Sequence, residues 1–93
     1  MSKKEKINPG LDEDILTENV EKHEIILYND DVNTFQHVIE TLVKVCKHTY
    51  EQAEQCAYIV HFSGKCVVKT GSLEELVPIC SALLDAGLSA EIS

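Results

Sequence analysis

The apolar residues between positions 35 and 46 recur at the spacing of an α-helix that buries one side. Their positions run i, i+3, i+4, i+7, i+8 and i+11, and they are Phe35, Val38, Ile39, Leu42, Val43 and Cys46. The side chain of Asn33, just upstream, can cap the start of a helix. The pattern predicts one amphipathic helix from Asn33 to about Lys47, which packs against the core through a single apolar stripe.

Two further helices are predicted by capping boxes, in which a Ser or Thr is followed three residues later by Glu or Gln. The first box is Thr49 with Gln52, and the helix after it has an inner face of Ala53, Cys56, Ala57 and Val60, with Gly64 at the turn out. The second box is Ser72 with Glu75. It begins a helix that we expect to run towards Ala86 and to stop at Gly87.

Pro78 lies inside this third predicted helix. Because proline lacks the amide hydrogen that bonds four residues back and its ring crowds the preceding turn, we expect a kink or a late start there.

Three short runs are typical of β-strands, and they are His23 to Tyr28, Cys66 to Thr70 and Leu88 to Ile92. The order along the chain is therefore β-α-α-β-α-β. This order predicts an α+β fold, a small α/β sandwich in which a three-stranded antiparallel sheet packs with three helices.

The length of 93 residues allows one domain. Residues 1–21 carry charges, Pro9 and Gly10 without a sustained period, so we expect a flexible N-terminal arm ahead of a domain at 22–93. Sixteen acidic and eight basic residues give a formal charge of -8, which excludes nucleic acid as an expected partner and favours cationic ligands.

No segment approaches the roughly 20 apolar residues that span a bilayer, and the first residues lack the apolar run of a secretory signal. We expect a cytoplasmic protein without a membrane partner. The cysteines have no CxxC pair, so we interpret them as small core residues and expect neither metal nor cofactor; they are Cys46, Cys56, Cys66 and Cys80.

A polar cluster is predicted where the first strand ends, at Asn29, Asp30 and Asp31, with His61 near the end of the second helix. Each part has a local interpretation. Asn and Asp are favoured in turns before helices, and a single histidine on a helix is commonly a structural group.

Several segments together are similar, in order and spacing, to the ClpS adaptor family. They are Ile-Ile-Leu-Tyr-Asn-Asp-Asp, the helix with Phe35 and Val38, the run Glu-Gln-Ala-Glu-Gln-Cys-Ala-Tyr-Ile-Val-His, and Gly64-Lys65. The resemblance implies a domain that binds destabilising N-terminal residues of substrate proteins. It also implies that the flexible arm engages a Clp-family AAA+ unfoldase, to which the substrate is delivered for degradation.

The resemblance places the contacts to the substrate α-amino group on Asn29, Asp31 and His61, with Asp30 beside them. Amide, carboxylate and imidazole acceptors suit an ammonium, which has three donors and a positive charge. The implied ligands are bulky N-terminal residues, namely Leu, Phe, Tyr and Trp. The implied side-chain pocket is formed by Leu27, Tyr28, Asn33, Phe35, Val38, Ala57, Val60 and Leu88.

This chain departs from the family pattern at two places. It has Asn33-Thr34-Phe35 where the family commonly has Thr-Pro-Met, and Ala57 where a methionine often lines the pocket. Both departures affect the expected shape of the pocket.

Two other classes of function stay open. One is a small regulatory domain that pairs with another protein through its sheet. The other is an enzyme or divalent-metal protein built on Asp30, Asp31 and His61, with His23 or His37. The sequence has no HxxxH, HExxH or nucleophile motif, so we do not expect an enzyme.

Overall fold

A computed structural model describes residues 21–93 of the chain. The predicted arm, residues 1–21, lies outside the described residues except for Glu21. The predicted order β-α-α-β-α-β is confirmed. The elements are β1 (His23–Tyr28), α1 (Phe35–Val45), α2 (Tyr50–Ser63), β2 (Lys65–Gly71), α3 (Leu73–Asp85) and β3 (Ser89–Ile92).

The sheet is antiparallel in the spatial order β2-β1-β3, so β1 is the central strand and pairs with both neighbours. Side chains alternate across a strand, and in β1 this alternation buries Ile25 and Leu27 on the same face. Residues from all three helices join these two in one hydrophobic core. The predicted α+β sandwich is therefore confirmed.

A β-bulge interrupts the pairing of β1 with β2. Ile25 pairs with Lys69 and Ile26 with Val67, which leaves Val68 as the additional residue. The carbonyl oxygen of Val68 accepts a hydrogen bond from Nε2 of His48 at 2.7 Å. Since a bulged residue loses part of its ladder pairing, the imidazole from the α1–α2 loop satisfies a carbonyl that the sheet leaves free.

Both predicted capping boxes are present, at Thr49 with Gln52 and at Ser72 with Glu75. The prediction that Asn33 caps the first helix is wrong. Thr34 is the N-cap, and its Oγ1 accepts from the backbone N–H of His37 at 3.1 Å. The amide of Asn33 is used elsewhere, in contacts with the loop before it and with a distant turn.

Two helix boundaries also differ from the prediction. Helix α1 ends at Val45 and is capped by Cys46, and Lys47 then takes a left-handed conformation with φ 61°, which ends the helical path. Of the two alternatives expected at Pro78, the late start is wrong, because α3 begins at Leu73 and continues through the proline, and the kink stays a prediction. Pro78 is exposed on the outer side of the helix.

The cysteines are free thiols that contribute to packing. Cys46 and Cys80 lie in the core, and Cys56 and Cys66 are partly buried against it. Burial, with a smaller contribution from hydrogen bonding to Cys66, raises the pKa of Cys56 to about 12. A neutral thiol of this kind behaves as a small apolar group. No helix within residues 21–93 is long and apolar enough to cross a membrane.

We expect Leu42→Ala to destabilise the fold much more than Leu84→Ala. Leu42 is fully buried at 0% exposure, so its loss should lower the free energy of unfolding by about 2 to 5 kcal/mol. Leu84 is 51% exposed on α3, and its loss should change that energy by about 0.5 kcal/mol or less. Urea unfolding followed by circular dichroism measures both. Equal effects would contradict the described core.

Candidate functional site

The loop between β1 and α1 is organised by the carboxylate of Asp30. Its Oδ1 accepts from the backbone N–H groups of Val32 at 2.9 Å and Asn33 at 2.8 Å, and its Oδ2 accepts from the Asn33 amide at 2.9 Å. These bonds hold the pKa of Asp30 below its ordinary value, and the bond from the backbone N–H of Asn33 has the largest effect. The carboxylate therefore fixes the course of the loop from the end of the central strand.

Two side chains join this loop region to the turn between α3 and β3. The Asn33 amide, besides contacting Asp30, donates to the carbonyl oxygen of Gly87 at 2.9 Å. Nε2 of His37 lies 2.8 Å from the carbonyl oxygen of Ala86, which can only accept, so this nitrogen carries the proton. Leu88 follows directly in the chain and is buried, so the two bonds position it beside the loop.

The end of α2 is held against the end of β1. The backbone N–H of Asn29 donates to the carbonyl oxygen of Gly64 at 2.9 Å. Gly64 ends α2 in a left-handed conformation, φ 94°, which glycine adopts without a steric penalty. His61 lies one turn before this cap, so the contact brings its imidazole to the Asn29–Asp31 loop.

These connections surround a cavity of about 340 Å³ that is open to solvent. Its size is within the range of small-ligand sites. All of the residues predicted from the sequence for the two parts of the site line this one cavity, although their roles in binding stay predictions. Thr34 also lines the cavity. It was not predicted to do so, because it is placed there as the N-cap of α1, a role that was expected of Asn33. The lining residues are Leu27, Tyr28, Asn29, Asp30, Asp31, Asn33, Thr34, Phe35, Val38, Ala57, Val60, His61 and Leu88.

The cavity has apolar walls and a polar mouth. Leu27, Ala57, Val60 and Leu88 are buried wall residues, each exposed by 5% or less. Asn29, Asp31 and His61 are exposed, and the side chains of all three are free of hydrogen bonds to other residues in the described part of the chain. They can therefore accept hydrogen bonds from a ligand, whereas the Asp30 carboxylate is already engaged.

The hydroxyl of Tyr28 has a partner outside the polar mouth. It donates to Oε2 of Glu91 on β3 at 2.7 Å, and this bond raises the pKa of Tyr28. The hydroxyl is thus committed to joining two strands, and Tyr28 contributes to the cavity through its other atoms.

Aromatic rings continue from the mouth onto the outer surface of α2. The ring of Phe35 lies 5.1 Å from the centroids of both Tyr58 and His61. Phe62 stacks with Tyr58 at 6.2 Å and meets His61 edge-on at 4.8 Å. We call Phe35, Tyr58 and Phe62 the aromatic shelf. Sequence analysis missed Tyr58 and Phe62, although their i, i+4 spacing outside the predicted inner face was visible.

The arrangement of titratable side chains bears on the metal hypothesis. Within residues 21–93, no group of three or more His, Cys, Asp or Glu side chains is placed to hold a metal ion. His37 binds the Ala86 carbonyl and His23 contacts Glu21 and the Ser93 carbonyl, so neither joins Asp31 and His61.

Residues 18–91 match the family model described as ATP-dependent Clp protease adaptor protein ClpS. The chain belongs to the ClpS family. The matched residues include every lining residue of the cavity and almost all of the described fold. ClpS is a family of Clp protease adaptors rather than a family of catalytic proteins.

Curated ClpS adaptors are similar to the chain. The ClpS adapter of Thermosynechococcus vestitus is 37% identical over 68 residues, which cover 72% of each chain. The ClpS adapter of Nostoc sp. is 32% identical over 90 residues, which cover 96% of this chain and 93% of the relative. The similarity to this second relative thus extends beyond residues 21–93, the part that the structure describes.

A solved ClpS structure has the same fold. Agrobacterium tumefaciens ClpS2, bound to L-phenylalaninamide, superposes with a TM-score of 0.74 and covers 81% of this chain and 98% of its own. The sequences are 18% identical, so the comparison supports the ClpS fold alone.

The bonding of Asp30 predicts an acid-sensitive fold. Because the pKa of Asp30 is lowered in the folded chain, its contribution to stability is complete above the ordinary carboxyl value of 3.8 and is lost as the pH falls through the folded-state value. Asp30→Asn should therefore be less stable than wild type at pH 7, and the difference should shrink as the pH falls from about 5 to 2. Urea unfolding at a series of pH values measures it.

Asp31→Asn is the matched control for this experiment. Its carboxylate is exposed and accepts no hydrogen bond from residues 21–93. This variant should follow the wild-type pH dependence of unfolding. Parallel curves for Asp30→Asn and wild type would show that Asp30 does not hold the loop.

Proposed function

We propose that this ClpS protein binds the N-terminal residue of substrate proteins and delivers them to a Clp AAA+ unfoldase in the cytoplasm. The recognised residues are bulky and apolar, namely Leu, Phe, Tyr and Trp. Such N-terminal residues act as degradation signals, or N-degrons, for the protease that the unfoldase serves. The observation that carries the proposal is an apolar cavity whose mouth presents Asn29, Asp31 and His61, acceptors that receive no side-chain hydrogen bond from the rest of residues 21–93.

The mouth suits a free α-ammonium group. An ammonium has three donors and a positive charge, whereas an internal peptide unit offers one neutral N–H. An amide oxygen, a carboxylate and a neutral imidazole nitrogen can each accept one ammonium hydrogen. None of the lining residues described here is a lysine or arginine that would repel the charge. The site therefore distinguishes a chain end from a chain interior.

The energetics are consistent with reversible capture. Burial of a Leu or Phe side chain contributes about 1.5 to 3 kcal/mol, and each hydrogen bond to the ammonium contributes about 1.5 to 3 kcal/mol. With the lowest entropy cost of docking, about 4 kcal/mol, the upper end of these contributions corresponds to a dissociation constant of about 1 μM. An adaptor that must release its cargo needs an affinity of this order.

The pocket is suited to aromatic as well as aliphatic side chains. Ala57 is small and leaves room on the α2 side, and Phe35 stands half exposed at the edge. The ligand of the similar Agrobacterium protein, L-phenylalaninamide, combines a free α-amino group with an aromatic side chain. That combination is the chemistry proposed for this cavity.

Delivery is assigned to the N-terminal arm, residues 1–21. The arm carries charged residues and no sustained apolar period, a composition suited to contacts with a protein partner. The membership of the ClpS family, described as Clp protease adaptors, supports a Clp unfoldase as that partner.

A comparison of three peptides tests substrate capture. A fluorescent peptide that begins with Phe should bind with a dissociation constant of about 1 μM. The same peptide acetylated at its N-terminus, or preceded by Met, should bind at least about ten-fold more weakly, because the charged donor is lost or displaced. Fluorescence anisotropy measures all three. Equal binding of the three peptides would exclude recognition of the chain end.

Site variants connect this binding to the mouth of the cavity. Asp31→Asn and His61→Ala should weaken binding of the Phe peptide by about ten-fold or more while the circular dichroism spectrum stays unchanged. Lys44→Ala, an exposed change on α1 away from the lining residues, is the control and should bind normally. Loss of the folded spectrum in the first two variants would instead assign these side chains a structural role.

Deletion of residues 1–21 tests the division between capture and delivery. The truncated protein should bind the Phe peptide with unchanged affinity, since the cavity lies within residues 27–88. It should not accelerate degradation of a substrate with an N-terminal Phe by a reconstituted Clp protease. Normal acceleration by the truncated protein would show that delivery does not depend on the arm.

A further inference from the structure

The aromatic shelf of Phe35, Tyr58 and Phe62 is exposed beside the cavity. The exposed fractions of these side chains are 39%, 50% and 76%. Single exposed apolar residues are common on protein surfaces, but contiguous aromatic rings indicate a contact surface. Only Phe35 lines the cavity, and the other two rings extend outwards from it.

The shelf is continuous with the proposed ammonium site. His61 lies at the mouth, and its ring is 5.1 Å from that of Phe35 and 4.8 Å from that of Phe62. An extended chain advances about 3.3 to 3.6 Å per residue, so the second and third residues of a bound substrate lie within about 7 Å of the first. The side chains of these residues can therefore reach rings that contact His61.

Two acidic residues of α2 lie near the shelf, and Lys65, just beyond the end of the helix, is a basic neighbour in sequence. Glu51 and Glu54 precede Tyr58 at i+7 and i+4 spacing and share its side of α2. Helix α2 contains no lysine or arginine between Tyr50 and Ser63, and the whole chain has a formal charge of -8. Aromatic faces attract cations, most strongly the planar guanidinium of arginine, and nearby carboxylates add to this attraction.

We propose that the aromatic shelf binds a cationic side chain, arginine in preference to lysine, at the second or third residue of the bound substrate. This inference rests on the proposed function and deepens it, since it adds a preference for basic sequence to the preference for a bulky first residue. An acidic side chain at the same position is repelled by the negative ring faces and by the nearby carboxylates. The shelf thus acts as a second specificity element of the site.

Anisotropy measurements with peptides of one length test the inference. The peptides begin with Phe and carry Arg, Lys, Ser or Glu at position two, or the same residues at position three. Arg should bind about two- to five-fold more tightly than Ser at one of these positions, the range of one exposed cation–π contact, with Lys between them. Glu should bind more weakly than Ser.

The double variant Tyr58→Leu with Phe62→Leu distinguishes binding by the ring faces from a general attraction to the negative charge of the protein. Leucine keeps apolar bulk against Phe35, and the formal charge is unchanged, so a general attraction would survive these changes. We expect the double variant to bind the Arg and Ser peptides equally, with unchanged affinity for Ser. Tyr50→Leu is the matched control. This exposed ring lies on the same helix, about 12 Å before Tyr58, and its loss should leave the preference intact.

Failure of the inference can be distinguished from failure of the proposed function. If no Phe peptide binds wild type, the proposed function is wrong and the inference falls with it. If the peptides bind alike whatever follows Phe, the function stands and the inference is wrong. A preference for Arg that persists in the double variant also overturns it.

Discussion

The site depends on the hydrogen bonds that the carboxylate of Asp30 accepts. This carboxylate accepts three hydrogen bonds from the two residues that follow it at i+2 and i+3, so the chain leaving the central strand turns in one defined way. This turn leaves Asp31 exposed on one side and directs Asn33 towards a turn that is distant in sequence. Adjacent carboxylates therefore have different tasks. Asp30 is used inside the protein to hold the loop, and Asp31 is left available to a ligand.

The cavity exists because hydrogen bonds fix the ends of the helices and strands around it, while the space between these elements is left unfilled. Asn33 and His37 bind the carbonyls of Gly87 and Ala86, and Asn29 binds Gly64, so the start of α1, the end of α2 and the start of β3 are held around one space. A well-packed core would close such a space, because an unfilled apolar volume costs stability. The small side chain of Ala57 keeps it open on the α2 side.

The polar mouth and the aromatic shelf divide the proposed recognition into separate physical parts. Hydrogen bonds at the mouth select a free ammonium, the walls select an apolar side chain, and the rings of Tyr58 and Phe62 select the residues that follow. Phe35 belongs to two of these parts, since it lines the cavity and contacts the shelf. Phe35 therefore joins the pocket to the inner edge of the shelf.

Local sequence patterns were sufficient for the strands, the helices and the boxes at Thr49 and Ser72, because periodicity and capping depend on residues within a few positions. The candidate site came from the resemblance, which named the cavity residues but not the different tasks of Asp30 and Asp31. Tertiary structure decided what depends on distant contacts. Thr34 rather than Asn33 caps α1, and the Asn33 amide binds Gly87, 54 residues later. The bulge at Val68 is satisfied by His48, 20 residues earlier. The shelf forms only when Phe35 meets Tyr58 across two packed helices, a contact that no spacing within one helix encodes.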